Sequence, residues 1–244
     1  MSAKTVYEKM IVAFTDGACK GNPGPGGWGA VVASPEGKVR ELGGGLKEVT
    51  NNKMEMRAVI EALRFIKDKP GEVAILTDST YVIQGITKWI WGWMRNDWQT
   101  SQGTAVTNKD LWQEMYRLVS LRKKHSEISW HYVRGHIGTP GNERADTIAS
   151  AFAVGDKVSF FDGDINSYRH AIYDIPDDTS IPERSNKKTS SKKKAYSYCS
   201  LVNGVFETHK SWAECEARVK GRSGARFKKA MSESEENELR QQWS

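Results

Sequence analysis

The chain has 244 residues, 38% hydrophobic and 27% charged, with a net charge of +6. This is the composition of a globular protein, with room for one large domain or one domain plus a small one. No apolar run approaches the roughly 18 residues of a membrane-crossing helix, and three cysteines without paired spacing exclude a disulfide framework or zinc site and suit a reducing cytosol. "MSAKTVYEKM" lacks the apolar segment of a signal peptide, so a cytoplasmic protein is expected.

Along the chain, "MIVAFTD" predicts a buried strand, with "GWGAVVAS" and "VRELGGGL" as antiparallel partners. From Gly17 to Gly29 the chain holds six glycines and two prolines, read as a loop that lets something approach the backbone. "NKMEMRAVIEALRFIKD" has the spacing of a helix whose buried stripe is Val59, Ala62, Leu63 and Ile66, ended by Pro70. "EVAILTDS" is a short buried strand. "TYVIQGITKWIWGWM" predicts a helix with Trp89 and Trp93 in the core and Trp91 and Trp98 partly exposed. "NKDLWQEMYRLVSLRKK" predicts another, whose basic end from Arg122 to His125 is expected to be solvated. "ISWHYV" is a strand, and "NERADTIASAFA" a last helix with Asn142 as N-cap. The pattern is α/β. Residues 154–176 are expected to pack back onto this domain as an extension. "PDDTSIPERSNKKTSSKKK" has almost no apolar content; residues 177–194, which carry three of the six net charges, read as a flexible Lys-rich linker. From Ala195 a small second domain is expected: strand, turn, strand, a helix "SWAECEARVK" capped by Ser211 with Glu214 three residues on, and a closing helix "SEENELRQQW".

Four carboxylates are out of place. Asp16 and Asp78 each end an apolar strand, where an Asp commonly caps a turn. Glu55 falls in line with the buried stripe, four residues before Val59. Asp146 is placed in the first turn of the last helix. Brought together, these groups would repel one another unless a cation lay between them. Their oxygens suit Mg²⁺, and two such ions can clamp an in-line phosphoryl displacement. His136, between Gly135 and Gly138, becomes a candidate proton shuttle beside such a cluster.

"TDGACKGNPGPGGWG", "TNNKMEMRAVIEAL", "LTDSTYVIQGITKWI" and "VRGHIGTPGNERADTIA" strongly resemble type 1 ribonuclease H, over residues 9–153. The resemblance implies a ribonuclease H-like fold, a mixed five-stranded sheet flanked by helices. It implies an endoribonuclease that cuts the RNA strand of RNA–DNA hybrids with two Mg²⁺ ions, Mn²⁺ substituting, and leaves 5′-phosphate and 3′-hydroxyl ends. The implied metal ligands are Asp16, Glu55, Asp78 and Asp146, with His136 as mobile proton carrier. The implied substrate contacts are Cys19, Asn22, Asn51, Asn52, Ser79 and Asn142, where the 2′-hydroxyl separates RNA from DNA. The lysine-rich handle of many bacterial members is reduced here to Arg95 and Lys109.

The tail resembles the small hybrid-binding domain found at the N-terminus of eukaryotic members and in plant viral proteins, placed C-terminally in this chain. Its implied contacts are Trp212, Arg226, Phe227, Lys228 and Lys229, with Tyr196 or Tyr198 as the strand aromatic. Residues 210–229 hold seven basic and two acidic side chains. A monomer is expected. The alternatives are a non-catalytic hybrid-binding protein on the same fold and another metal nuclease, a resolvase or integrase; the latter would need a different carboxylate order.

Overall fold

The computed structural model describes residues 3–135, 138–182 and 195–243. They form two compact units, Met1–Ile181 and Pro182–Ser244. In the first, a short helix α1 (Ala3–Tyr7) precedes β1 (Ile11–Cys19), whose first seven residues are all buried. Burial on both faces belongs to the centre of a sheet covered on both sides. β1 pairs antiparallel with β2 (Gly24–Ala33), and β2 with β3 (Lys38–Val49). On its other side β1 runs parallel to β4 (Val73–Thr77), and β4 parallel to β5 (Ile128–Tyr132). The sheet order is β5-β4-β1-β2-β3-β6, where β6 is only Asp162–Asp164. The expected mixed sheet is present, with this sixth strand added at the β3 edge. Three residues, two of them Asp, carry no alternation from which a strand could be read.

The strand period sends alternate side chains to opposite faces. On one face Ala13, Ala30, Val32 and Ile75 meet α2 (Asn51–Ile66), whose Val59, Ala62, Leu63 and Ile66 are buried as their spacing predicts, and Trp112 of α5 (Lys109–Arg122). On the other face Val12, Phe14, Val31 and Leu76 meet Ala145 and Ile148 of α6 (Pro140–Val154) and Tyr168 and Ile172 beyond it. The stretch Thr80–Arg95 is helical throughout: α3 (Thr80–Gln84), a π-turn (Gly85–Trp89) and α4 (Ile90–Arg95).

Several local expectations change. The glycine-rich stretch is mostly strand, and its turn is confined to residues 20–23. Trp89 and Trp93 are half-buried, not core. Arg122 is fully buried and donates to the Gly71 carbonyl, so only Lys123, Lys124 and His125 of that basic end are solvated. α6 begins at Pro140 with Thr139 at the cap position. Proline suits a first helical position because its missing N–H costs no helix bond there. Asn142 therefore lies inside the helix and is not its cap, and Asp146 lies in the second turn rather than the first. The first unit also runs beyond residue 176, because Thr179 hydrogen-bonds to β5: its carbonyl accepts from Tyr132 N at 2.9 Å.

The second unit is a three-stranded antiparallel sheet, order β8-β7-β9, of β7 (Ser197–Val202), β8 (Val205–His209) and β9 (Arg226–Ala230), with α7 (Trp212–Val219) and α8 (Glu233–Trp243). Ser211 caps α7 by accepting from Glu214 N at 3.3 Å, and Glu214 in turn accepts from Lys210 N. Its core is small: Cys199, Ala230 and Leu239, with Phe206 and Trp243 against them. β9 was not foreseen as a strand; four of its five residues are exposed, so no pattern marks it. Among the described residues no helix is long and apolar enough to cross a membrane.

Candidate active site

Because β1 and β4 are parallel neighbours, their C-terminal ends lie side by side, and each delivers a carboxylate there: Asp16 within β1 and Asp78 directly after Thr77. Glu55 arrives from α2. A Cβ on Gly17 would sit 2.2 Å from Glu55 N, so glycine at that position is what lets α2 come down onto β1. Asp16, Glu55 and Asp78 each offer one oxygen within 4.8 Å of the others. Asp146, from α6, lines the same depression of about 320 Å³, together with Cys19, Lys20, Asn51 and Ser150. Ser150 Oγ donates to Asp146 Oδ1 at 3.3 Å. α6 reaches this place because β2 is stripped of side chains beneath it: a Cβ on Gly29 would lie 2.2 Å from the Ala145 carbonyl. Gly135 makes room at the far wall, where a Cβ would stand 2.4 Å from Asp78 Oδ2.

The electrostatics are those of like charges buried close together. Burial, then Asp78 and Asp146, push the Asp16 carboxyl up to about 8 against the bond from Gly17 N. Burial and the charges of Asp16 and Asp78 hold Glu55 well above the carboxylate range. Glu55 is 7% exposed, and its Oε2 has no hydrogen-bond partner among the described residues. An all-oxygen donor set with an orphaned buried oxygen fits a hard divalent cation.

The expected substrate contacts separate into groups. Cys19 is half-buried, with Sγ 3.1 Å from the Val49 carbonyl. Asn22 Oδ1 accepts from Asn51 N at 3.2 Å, and Asn51 Nδ2 donates to Glu55 Oε1 at 3.1 Å, so a polar chain runs from the exposed turn to the cluster. Asn52 is exposed beside it. Ser79 is buried, and its Oγ caps α3 by accepting from Val82 N. Asn142 is 1% exposed, and neither of its polar atoms has a partner among the described residues. His136 lies outside the described residues. Gly17, Gly135 and Ser150 were missed; the only signal for the glycines was their position beside Asp16 and His136.

In the tail unit Tyr198 and Trp212 have ring centroids 5.9 Å apart, and Trp212 and Phe227 5.4 Å. Register puts Tyr198 opposite Lys229 and Ser200 opposite Phe227, so Tyr198, Phe227 and Lys229 share one face of the sheet. Arg226 and Lys228 are on the other. Of the two tyrosines it is Tyr198 that meets Trp212; Tyr196 is exposed.

Carboxylates converging at the ends of parallel strands of a mixed sheet define a metal-dependent site of the kind that works on phosphodiesters. Residues 8–153 match the family model described as RNase H, and residues 201–235 the one described as ribonuclease H1 N-terminal domain. The chain belongs to the RNase H family. It is 52% identical over 143 residues to a ribonuclease H of Cyanothece sp. (strain PCC 7425), covering 58% of this chain and 88% of that one. It is 53% identical over 141 residues to a ribonuclease H of Acidovorax sp. (strain JS42), covering 58% and 93%. The structure resembles that of LC9-RNase H1, a type 1 RNase H with the type 2 active-site motif, at a TM-score of 0.55 and 34% identity over 65% of this chain and 79% of that one.

Proposed function

We propose that this chain hydrolyses the RNA strand of RNA–DNA hybrids at the Asp16–Glu55–Asp78–Asp146 depression, with two Mg²⁺ ions, or Mn²⁺ in their place. It is an endoribonuclease by family. The observation that carries the reading is the convergence of three carboxylates within 4.8 Å, with Glu55 buried and half unpartnered. The four carboxylates would hold the cations, which when bound supply Lewis-acid neutralisation of the phosphate and lower the pKa of water. The protein's own contribution is positional. The turn at Asn22 and the Asn22–Asn51–Glu55 chain offer donors and acceptors to a 2′-hydroxyl at the rim. His136 is proposed to carry the proton to the departing 3′-oxygen, so the products are a 5′-phosphate and a 3′-hydroxyl.

The tail unit is proposed to hold the hybrid through the Tyr198–Trp212–Phe227 face, where rings stack against sugar or base and Lys229 meets phosphate. The working unit is proposed to be a monomer in the cytoplasm. The test is one assay on three duplexes of the same sequence, RNA–DNA, RNA–RNA and DNA–DNA, with Mg²⁺ or with EDTA. Cutting of the RNA–DNA duplex alone, abolished by EDTA, is the expected result; equal cutting of RNA–RNA would overturn the substrate assignment.

A further inference from the structure

Residues 156–181 lie outside both family matches, which end at 153 and begin at 201. They nevertheless touch both sides of the catalytic sheet. At one side β6 pairs with β3, Lys38 opposite Asp164 and Arg40 opposite Asp162. At the other, Thr179 accepts from Tyr132 N at 2.9 Å, and its Oγ1 is 2.9 Å from His131 Nδ1 on β5. Between these ends Tyr168 and Ile172 are buried in the core on the α6 face. The segment is a strap laid from one edge of the sheet to the other.

The strap meets α6 through one buried carboxylate. Glu41 of β3 is 2% exposed and accepts four hydrogen bonds. Two come from Arg144 of α6, Nε at 2.7 Å and the terminal nitrogen at 2.8 Å. A third comes from Phe161 N at 3.0 Å and a fourth from Tyr168 OH at 2.8 Å. Four donors fill the lone-pair sites of a carboxylate. Arg144 is two residues before Asp146 on the same helix. Asp16 and Asp78 are fixed by neighbouring strands, and Glu55 by α2 pressed onto Gly17; Asp146, carried by α6, falls outside the 4.8 Å group. Where α6 lies sets where the fourth carboxylate meets the other three.

We propose that Tyr168 is a positioning residue: through Glu41 and Arg144 the strap holds α6, and so Asp146, at the distance at which the fourth carboxylate shares cations with Asp16, Glu55 and Asp78. This rests on the reading of those carboxylates as cation ligands. Removing a direct hydrogen-bond partner of a metal ligand commonly costs 10–100-fold in metal affinity or activity; Tyr168 acts from further back, through Glu41 and Arg144, so the lower end of that range is expected.

The experiment uses the full chain and three variants. Tyr168→Phe removes one donor and keeps the ring. Arg144→Lys keeps the charge and loses the two-pronged contact. Tyr173→Phe, a strap tyrosine packed on the same core and not among the described hydrogen-bond donors to Glu41, is the control. Mn²⁺ binding by calorimetry without nucleic acid, the Mg²⁺ concentration for half-maximal cleavage, kcat at saturating Mg²⁺ and the melting temperature without cation are measured. The expected result is about tenfold weaker Mn²⁺ binding and a similar rise in half-saturating Mg²⁺ for Tyr168→Phe and Arg144→Lys. kcat at saturating Mg²⁺ should stay within about threefold, and Tyr173→Phe should match the unaltered chain. Lower melting temperatures with unchanged cation affinity in both variants would overturn the proposal and leave the strap a stabilising element only. If the unaltered chain neither binds Mn²⁺ nor cuts, the cation reading of the carboxylates fails instead.

Discussion

The two units keep their working side chains in opposite kinds of wrong solvent. In the first, carboxylates are taken largely out of solvent; Asp16 and Glu55 are 5% and 7% exposed. In the second, aromatic rings face water; Trp212 and Phe227 are 41% and 53% exposed. A buried charge and an exposed apolar ring are each unfavourable until a partner arrives, a cation for the one and a ligand surface for the other. The catalytic unit tolerates its cluster because two core layers surround the sheet. The tail unit, with a core of a few side chains, keeps its unfavourable groups outside, where they cost little folding energy.

Charge removal in the first unit is the largest test of this contrast. Asp78→Asn should reduce cleavage about 10³-fold or more, since several kcal/mol of transition-state stabilisation depend on the ligand set. Hybrid binding by the tail should persist. A gel shift beside a cleavage time course separates the two, and a variant that still turns over freely would break the comparison.

Next come two glycines that look alike in sequence. Gly135→Ala pushes its methyl against a movable carboxylate oxygen of Asp78, so activity should fall about 10²-fold with little change in melting temperature. Gly17→Ala pushes its methyl into the α2 backbone and should cost about 3 kcal/mol of stability. Calorimetric melting of both variants beside a cleavage assay would show whether site and scaffold separate in this way.

pH titration sharpens the comparison without mutation. Asp16 has an ordinary value of 3.8 and is pushed up to about 8 in the fold, so the folded state binds its proton more tightly than the unfolded state does. The stability this contributes is complete below pH 4 and is lost as pH rises toward 8. Glu55 moves in the same direction. Without divalent cation, the melting temperature of the catalytic unit should therefore fall between pH 5 and 8. Added Mg²⁺ should remove most of the fall, and Asp16→Asn should flatten it. A curve that rises over this range would refute the assigned environment.

The smallest effect is expected in the tail. Trp212→Ala should raise the KM for a long hybrid about tenfold, the scale of one stacking contact, and leave kcat at saturation unchanged. Equal KM values would mean that the exposed rings serve another partner.

Most of this contrast was readable in the sequence where side-chain chemistry and period coincide. A strand-end Asp, a Glu in line with an apolar stripe, and a Trp opening a capped helix each carry their own signal. What escaped is what depends on distance between segments. The glycines between Asp16 and Val31 read as a loop for a ligand, yet Gly29 is there because the α6 backbone passes over it. Asn142 read as a helix cap and Arg122 as part of a solvated helix end because their residue types usually are; their burial is set by Pro140 starting the helix early and by the Gly71 carbonyl within reach. That residues 154–176 pack back onto the domain was expected, but their path from β3 to β5 was not, because "FFDGDINSYRHAIY" has neither helical nor strand period. Its order comes from Glu41, more than a hundred residues away.

The strap has one further consequence, for how the molecule behaves at high concentration. A sheet edge with a free row of backbone donors and acceptors is a template for another chain. Here Lys38–Arg40 at the start of the β3 edge are taken by β6, three residues long with two aspartates, which offers an incoming strand too little length and the wrong charge. At the opposite edge Tyr132 N of β5 is already bonded to Thr179. The same segment that steadies α6 thus blocks strand addition at the start of β3 and at Tyr132 of β5, and loss of the strap should first be visible as aggregation on standing.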